Sequence, residues 1–245
     1  MQVLVFIYGL IFGSFFNVVI YRLPMEKSLI RPRSSCGTCG HVLRPVELIP
    51  LISYIVQRGR CKHCHEKFSM RYPMVELLTG VLFLVVYMKI GWTVELMRGL
   101  FLVSLFIIIS FIDLDHQIIP DGLNLIFGLV GLVYLFLVQP FPVSHALYGF
   151  LVGGGFLFIV ALIGPMGGGD IKFMAAMGIW FGLGYTLMIL LLSFIIGGLV
   201  SASLLLLRIV DRKTAIPFGP FLCIGSLIVL LFGNKLFIWY VATLL

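Results

Sequence analysis

Two pairs of cysteines with metal-ligand spacing lie close together near the start of the chain. Cys36-Gly-Thr-Cys39 and Cys61-Lys-His-Cys64 form a CxxC…CxxC pattern with 21 residues between the pairs. Two such turns that converge on one tetrahedral Zn²⁺ form a closed structural site, whereas a redox dithiol pair or unpaired thiols are the alternatives. The spacing favours structural zinc. Three histidines in the same stretch could replace a cysteine ligand or remain solvated: His41, His63 and His65.

A second set of reactive side chains consists of acids at the edges of apolar segments. Carboxylates near or within a membrane are costly and usually face a polar cavity or one another. Two carboxylates that meet across a water-accessible gap share a proton, so that one can activate a water while the other polarises a carbonyl. These acids form two clusters, Asp113, Asp115 and Asp121 in the first and Asp170 in the second.

Each of these acids also has a structural interpretation. Asp113 and Asp115 could mark the end of a helix at the lipid headgroups. Residues two apart project about 200° apart on a helix, so only one of these two can face a bundle interior. Asp121 opens a helix, which favours an N-cap for that residue, and Asp170 could cap a helix in the same way. The glycines Gly167–Gly169 before Asp170 would let a substrate backbone approach closely. The residues alone therefore leave both a catalytic pair and helix caps open.

Membrane helices must carry these residues. Of the 245 residues 61% are hydrophobic and only 11% are charged, with a mean hydropathy of +1.15. This composition excludes an ordinary soluble domain. The first apolar run has no signal-peptide features and is interpreted as a retained helix. We expect an all-α polytopic membrane protein with about eight transmembrane helices and a small cytoplasmic zinc-binding domain between helices 1 and 2. The apolar runs lie at about 3–21, 74–90, 96–113, 122–139, 143–163, 171–184, 186–207 and 217–243.

The positive charge of the chain is concentrated in one loop. Residues 22–73 contain ten basic and three acidic residues and so carry the whole net charge of +7. An excess in a short loop between apolar runs follows the positive-inside rule and is not a sign of nucleic-acid binding. This predicts a cytoplasmic loop, an N-terminus outside, and both acid clusters on the cytoplasmic side, where disulfides are disfavoured. The predicted division is 1–21 as first helix, 22–73 as zinc-binding domain and 74–245 as helical core.

Taken together, these motifs resemble the type IV prepilin peptidases, a family of membrane aspartic proteases with a Gly-x-Gly-Asp motif. Gly167–Asp170 matches that motif, and Ile112–Asp121 matches the family's first aspartate motif. The resemblance covers nearly the whole chain in order. Further matches are Gly13–Pro24, the two cysteine pairs, Leu48–Tyr54, Arg58–Cys61 and Arg71–Glu76.

The resemblance implies an aspartic endopeptidase of the bacterial cytoplasmic membrane that cuts the basic leader from type IV prepilins or pseudopilins. It implies that Asp113 and Asp170 are the catalytic pair. The same resemblance assigns supporting or substrate-binding roles to Asp115, Asp121, Gly167, Gly168, Gly169 and Lys172. It implies structural zinc on Cys36, Cys39, Cys61 and Cys64.

Many members of the family then N-methylate the new N-terminus, which implies S-adenosylmethionine as a second cofactor. The chain has no Rossmann-type glycine fingerprint, and Gly9 and Gly13 are interpreted as a helix-packing face, so the sequence identifies no residues for this cofactor. In the family the methylation is linked to the N-terminal half, which is present here. One departure from the family is Glu47, where Asp or Asn is more usual.

Two other classes of function share some of these features. A transporter would bind cations at intramembrane acids, but it predicts repeats and broken helices near the midplane, and no repeat is visible. A non-catalytic zinc-anchored assembly protein would need the cysteines and not the aspartates.

A basic leader would not be drawn to the +7 loop, so we expect the acids at 113–121 and 170 to attract it.

Overall fold

The computed structural model describes residues 1–164, 166–211 and 214–244, and almost all regular structure in them is helical. Two isolated antiparallel β-bridges, both in the cysteine-containing loop, are the other regular pairings among these residues. Short 3₁₀ helices lie at Leu23–Met25 and Pro45–Leu48. The α-helices are α1 Gln2–Arg22, α2 Ile52–Val56, α3 Arg71–Ile90, α4 Val94–His116, α5 Asp121–Val138, α6 Val143–Ile163, α7 Gly168–Leu206 and α8 Gly219–Leu244.

Seven helices in the described part of the chain are long and apolar enough to cross a membrane. They are α1, extended by its following 3₁₀ turn, and α3 to α8. Many of their large apolar side chains are exposed, as lipid-facing side chains are in helices that span a bilayer. The predicted class, an all-α polytopic membrane protein, is confirmed.

The longest of these helices, α7, is interrupted at Gly182, whose φ of 68° and ψ of 177° are not helical. A methyl group on Gly153 of α6 would lie 2.6 Å from the carbonyl oxygen of Met174 and 3.0 Å from Thr186 Cγ2. In a continuous helix residues twelve apart are separated by about 18 Å, so Met174 and Thr186 could not both reach one point. The chain therefore folds back on itself at Gly182.

We refer to the two halves as α7a (168–181) and α7b (183–206). Counted in this way, the described residues form eight apolar helices, in line with the number predicted. The predicted break between 184 and 186 lies a few residues too late, because Gly182 has a positive φ, which only glycine accepts easily. At the usual rise per residue α7a is about 21 Å long. It is therefore shorter than the hydrocarbon core of a bilayer, which is about 30 Å thick.

The contacts divide the chain into two compact units, Met1–Ile108 and Ile109–Leu245. In the first unit α1 and α3 pack through glycines: a methyl group on Gly9 would lie 2.7 Å from Gly80 Cα, and one on Gly13 would lie 2.7 Å from Glu76 Cα. The interpretation of Gly9 and Gly13 as a helix-packing face is confirmed.

The second unit is built around α7. Helix α6 packs antiparallel to α7a, with Gly149 against Gly178, and α7b packs antiparallel to α8, with Gly197 against Phe221. The indole of Trp180 is buried in α7a and donates a hydrogen bond to the carbonyl of Phe127 in α5. The boundary between the units falls inside α4, so the last turns of α4 belong to this second unit. The predicted boundaries of the three domains, at 21 and 73, stay predictions.

Candidate active site and metal centre

Asp113 lies in the second unit, one turn before the end of α4 at His116. Its side chain is only 4% exposed. The carboxylate oxygen Oδ2 accepts a hydrogen bond of 2.9 Å from the backbone N–H of Gly219, the first residue of α8. A methyl group on Gly219 would lie 2.7 Å from the same oxygen, so only glycine allows this contact. The start of α8 thus fixes the orientation of the Asp113 carboxylate.

Asp170 is the third residue of α7, and its side chain is 8% exposed. Because α6 and α7a are antiparallel, with Gly149 beside Gly178 and Gly153 beside Met174, Asp170 is level with Leu157. Leu157 lies almost two turns before the end of α6 at Ile163, which corresponds to about 9 Å along the helix. Asp170 therefore lies in the first turn of α7 but about 9 Å short of the end of its neighbour α6.

The structure brings the two buried aspartates together. The charge of Asp113 acts on Asp170, and both carboxylates act on the buried thiol of Cys223 in α8. The oxygen Oδ1 of Asp170 is buried and has no hydrogen-bond partner among the described residues. Two neighbouring carboxylates, one protonated and one ionised, are the arrangement that general acid–base catalysis uses. Cys223 is 2% exposed and packs as a small buried side chain.

The other two aspartates of the first cluster lie outside this pair. Asp115 is exposed while Asp113 is buried, which confirms that only one of them faces the interior. Asp121 is exposed, and its Oδ1 accepts a hydrogen bond of 2.7 Å from Lys172 Nζ, which is also exposed. This pair links the starts of α5 and α7.

The cap interpretation is wrong for both Asp121 and Asp170. The N-cap residues are Pro120 and Gly167, and neither helix start has a side-chain cap hydrogen bond. Asp121 is already the first helical residue, and its carboxylate is engaged by Lys172 instead of by the backbone of its own helix. The physical reason is that both helices begin one or more residues earlier than a capping aspartate requires.

The three glycines before Asp170 have different environments. A methyl group on Gly169 would lie 3.0 Å from Ile119 Cβ and 3.1 Å from its carbonyl oxygen, so this glycine permits close packing. Gly167 and Gly168 are exposed, and a methyl group on Gly168 would have no described atom within 4 Å. Of the three, Gly167 and Gly168 are therefore the ones that leave room for a bound chain beside Asp170.

Two residues that contact this site are not apparent from the sequence pattern. Gly219 binds Asp113, and Asn124 Nδ2 donates a hydrogen bond of 3.2 Å to the carbonyl of Gly169. The run Pro217-Phe-Gly-Pro220 is a signal for Gly219, because prolines around a glycine at a helix start indicate a fixed backbone. Asn124, a polar residue in an apolar helix, is a comparable signal.

In the first unit the four paired cysteines form one cluster. All four sulfur atoms lie within 4.8 Å of one another, with 3.7 Å between Cys36 and Cys64 and 3.9 Å between Cys39 and Cys61. Four sulfurs around a tetrahedral Zn²⁺ at about 2.3 Å are separated by about 3.8 Å, whereas a disulfide bond requires about 2 Å. The cluster therefore has the dimensions of a tetrathiolate zinc site.

Two similar turns build this cluster. In the first turn the backbone N–H of Cys36 donates to the carbonyl of His41, and the N–H of Gly40 donates to the carbonyl of Cys36. In the second turn the N–H of Cys61 donates to the carbonyl of Glu66, and the N–H of His65 donates to the carbonyl of Cys61. The residue after each second cysteine has a positive φ, 70° at Gly40 and 59° at His65. Glycine suits this position in the first turn, because it accepts a positive φ without strain.

Two thiols of the cluster have pKa shifts in opposite directions. The backbone N–H groups of Cys39 and Thr38 lower the pKa of the Cys36 thiol to about 6, because they stabilise its charged form. Although the backbone N–H of Glu66 lowers it, burial and the neighbouring sulfurs raise the pKa of the Cys64 thiol to about 12.

The three histidines lie outside the four-sulfur cluster. His41 stacks on His63 at 5.3 Å and approaches Glu47 Oε2 at 3.4 Å. The backbone N–H of Arg44 holds the pKa of Glu47 below its usual value.

The fold and these two sites define a multi-pass membrane protein with buried paired aspartates and a four-cysteine module that has the dimensions of a zinc site. Comparison with known proteins gives the family. Residues 7–90 match the bacterial peptidase A24 N-terminal domain, and residues 100–202 match the type IV leader peptidase family. The chain belongs to the type IV leader peptidase family, as the sequence motifs predict.

Several relatives named prepilin leader peptidase/N-methyltransferase are similar to the chain over nearly its whole length. The protein from Legionella pneumophila is 37% identical, covering 98% of this chain and 94% of the relative. The protein from Bacillus subtilis (strain 168) is 36% identical, covering 97% of each chain. The protein from Aeromonas hydrophila is 36% identical, covering 99% of this chain and 94% of the relative. No solved structure gave a significant match.

Proposed function

We propose that the chain is a prepilin leader peptidase in which Asp113 and Asp170 are the catalytic pair. The observation that carries this proposal is the mutual approach of two buried aspartates from α4 and α7 in a family of leader peptidases. No other pair of buried carboxylates occurs among the described residues of the second unit. The hypothesis of a cation transporter loses support, because Asp113 lies near the end of α4 and Asp170 lies near the start of α7.

The pair hydrolyses a peptide bond by acid–base chemistry. The ionised member takes a proton from a water molecule, whose oxygen attacks the carbonyl carbon of the scissile bond. The protonated member donates a hydrogen bond to the carbonyl oxygen and stabilises the negative charge that develops there. Gly219 holds Asp113 in place through its N–H, and the exposed backbone at Gly167 and Gly168 leaves space for an extended substrate.

The substrate is a type IV prepilin or pseudopilin with a basic leader. The positive-inside rule places the basic residues 22–73 in the cytoplasm. Because successive spans alternate in direction, the end of α4 with Asp113 and the start of α7 with Asp170 then face the cytoplasm as well. The protein is then a multi-pass protein of the bacterial inner membrane that cuts at its cytoplasmic face. The exposed carboxylates of Asp115 and Asp121 attract the leader's positive charges.

Two cofactors accompany this function. The four cysteines hold a structural Zn²⁺, which stabilises a short loop that is too small to fold on its core alone. The relatives' names include N-methyltransferase, and we extend this second activity to the chain. When bound, S-adenosylmethionine supplies a methyl group that bonds to the uncharged N-terminal amine of the cut protein, while the carbon–sulfur electron pair stays on sulfur.

Cleavage of a full-length prepilin by the purified chain tests the catalytic pair. We expect Asp113→Asn and Asp170→Asn each to reduce the rate of cleavage by at least about 10³-fold, because each removes a group that moves a proton. Zinc content and thermal stability of both variants should remain those of the wild type. Asp211→Asn, which removes an exposed acid outside the site, is the matched control.

Normal cleavage by either active-site variant would overturn this assignment and direct attention to Asp115. For Asp115→Asn and Asp121→Asn we expect the Michaelis constant to rise more than kcat falls, because these acids bind the leader and do not move the proton. Unchanged Michaelis constants in both variants would refute the role in leader attraction.

A further inference from the structure

The first unit contains a cavity that the peptidase chemistry does not use. Its volume is about 380 Å³, within the range of about 300–1,000 Å³ that is typical of small-molecule sites. It lies among α1, the start of α3 and the cysteine-containing loop, and its lining belongs entirely to the segment matched by the N-terminal family domain. Neither Asp113 nor Asp170 is among its described lining residues.

The cavity is lined mainly by negative charge, whereas the loop around it carries a net positive charge. Two carboxylates line it, Glu76 at 8% exposed and Glu47 with a side chain that is 8% exposed. Arg22 also lines it, but its guanidinium donates to the carbonyls of Ser28 and Pro32. A cavity with two buried carboxylates, inside a segment that carries +7, selects a cationic ligand and rejects a phosphate.

Glu76 is held as a fixed acceptor within this cavity. Its Oε2 accepts a hydrogen bond of 2.8 Å from the backbone N–H of Leu51, and the Ser14 hydroxyl also bonds to it. Asn17, one turn along α1 from Ser14, is buried and donates to the carbonyl of Tyr72. A buried carboxylate with fixed geometry is unusual in a membrane helix and indicates a function.

Aromatic rings complete the lining. Tyr54 and Tyr72 border the cavity, and the Tyr54 ring is held against the backbone of Gly59, where a methyl group would lie 2.7 Å from it. Flat rings stack on heteroaromatic bases, and carboxylates accept hydrogen bonds from ribose hydroxyls and attract cations. S-adenosylmethionine combines adenine and ribose with a sulfonium cation, an ammonium group and one carboxylate. The rings and the two glutamates suit the first four parts, and Arg22, which also lines the cavity, carries the charge that the carboxylate requires, so the residues present fit this cofactor.

We propose that this cavity is the binding site for S-adenosylmethionine, with Glu76 as the carboxylate that holds its cationic or ribose part; this rests on the methyl-transfer part of the proposed function. It assigns the two activities to separate residues, the aspartates of the second unit for cleavage and the cavity of the first unit for the methyl donor. No Rossmann-type glycine loop is needed, because the ligand is held by carboxylates and rings instead of by a phosphate-binding turn.

Equilibrium binding of tritiated S-adenosylmethionine to the full-length, zinc-loaded chain in detergent tests the site directly. We expect Glu76→Gln to weaken binding about 10-fold or more, because a hydrogen bond or ion pair to a buried charge is lost. Gln57→Trp, which enlarges a partly exposed residue of the cavity wall, should also abolish binding while zinc content is retained. The matched control is Glu26→Gln, at an exposed acid that is not part of the lining.

Direct ultraviolet cross-linking of the bound cofactor gives a second readout. We expect labelled peptides to contain residues 53–57 or 72–76, with labelling prevented by S-adenosylhomocysteine. Unchanged affinity in both cavity variants, or labelling only outside the lining, would overturn the inference. Measuring binding in Asp170→Asn as well separates the two proposals, because saturable binding by this variant supports the cavity whether or not the variant cuts a prepilin.

Discussion

The cysteine module and the aspartate pair bring their side chains together by different means. In the module, all four thiols come from two short turns, and two of them, Cys36 and Cys64, are 28 residues apart. In the active site Asp113 meets a backbone donor 106 residues later, and three helices must pack correctly before the carboxylates meet. The first arrangement depends on two local turns, whereas the second depends on the packing of the whole second unit. This difference predicts which substitutions affect which site.

We expect the greatest effect at the metal centre. Structural zinc contributes about 10–16 kcal/mol of binding energy in small modules, so replacing one ligand should release the metal and unfold its turn. We expect Cys61→Ser to lose zinc, as measured by elemental analysis, and residues 22–73 to become sensitive to protease. Cys223→Ala, which removes the thiol outside the cluster, should retain full zinc. A full complement of zinc in Cys61→Ser would contradict the four-cysteine assignment.

The next effect concerns the backbone donor to Asp113. A methyl group on Gly219 would come within 2.7 Å of Asp113 Oδ2, so Gly219→Ala must displace this carboxylate. A displacement of about 1 Å can reduce a rate by about 10²-fold, and we expect a loss of this size in kcat for prepilin cleavage. Zinc content should not change, since the module belongs to the other unit. Gly155→Ala is the control, because a methyl group there has no described atom within 4 Å; wild-type cleavage by Gly219→Ala would argue against the role of this donor.

A smaller effect is expected at the turn within α7. Gly182 combines a positive φ of 68° with a ψ of 177°. This conformation is strained for any residue with a side chain, at a cost of about 1–3 kcal/mol. Gly182→Ala should therefore lower the melting temperature in detergent, while Gly184→Ala, with open space for a methyl group, should not. Equal stability of these two variants would mean that α7 is not held in the folded-back conformation.

The weakest effect is expected at the exposed pair of Asp121 and Lys172. Exposed ion pairs contribute about 0–1 kcal/mol, so Asp121→Asn and Lys172→Met should each change the free energy of unfolding by no more than about 1 kcal/mol. A double-mutant cycle measures their coupling. A coupling well above this range would show that the pair is a structural link between α5 and α7 instead of a surface contact.

Much of the second unit could not be predicted from the sequence, for identifiable reasons. The sequence indicates an apolar helix before Asp113 and a glycine run before Asp170, but not that Gly219 binds Asp113, since this contact depends on the placement of α8. The cap predicted at Asp121 was wrong, and the cap left open for Asp170 does not form, because the choice between a cap and a cross-helix partner depends on neighbouring helices. The break in α7 was predicted to within a few residues, since two glycines stand close together and only the packing selects one.

The membrane class, the eight apolar segments, the family and the four-cysteine cluster all follow from the amino-acid sequence without knowledge of the fold. They depend on local composition and short spacing, which hold whatever the tertiary arrangement is. The burial of Asp113 beside Asp170, the exposure of Asp115, and the cavity that Glu76 and Glu47 line together became apparent only in the folded chain. Carboxylates far apart in sequence share an environment only when helix packing excludes water around them, and that packing is a property of the whole fold.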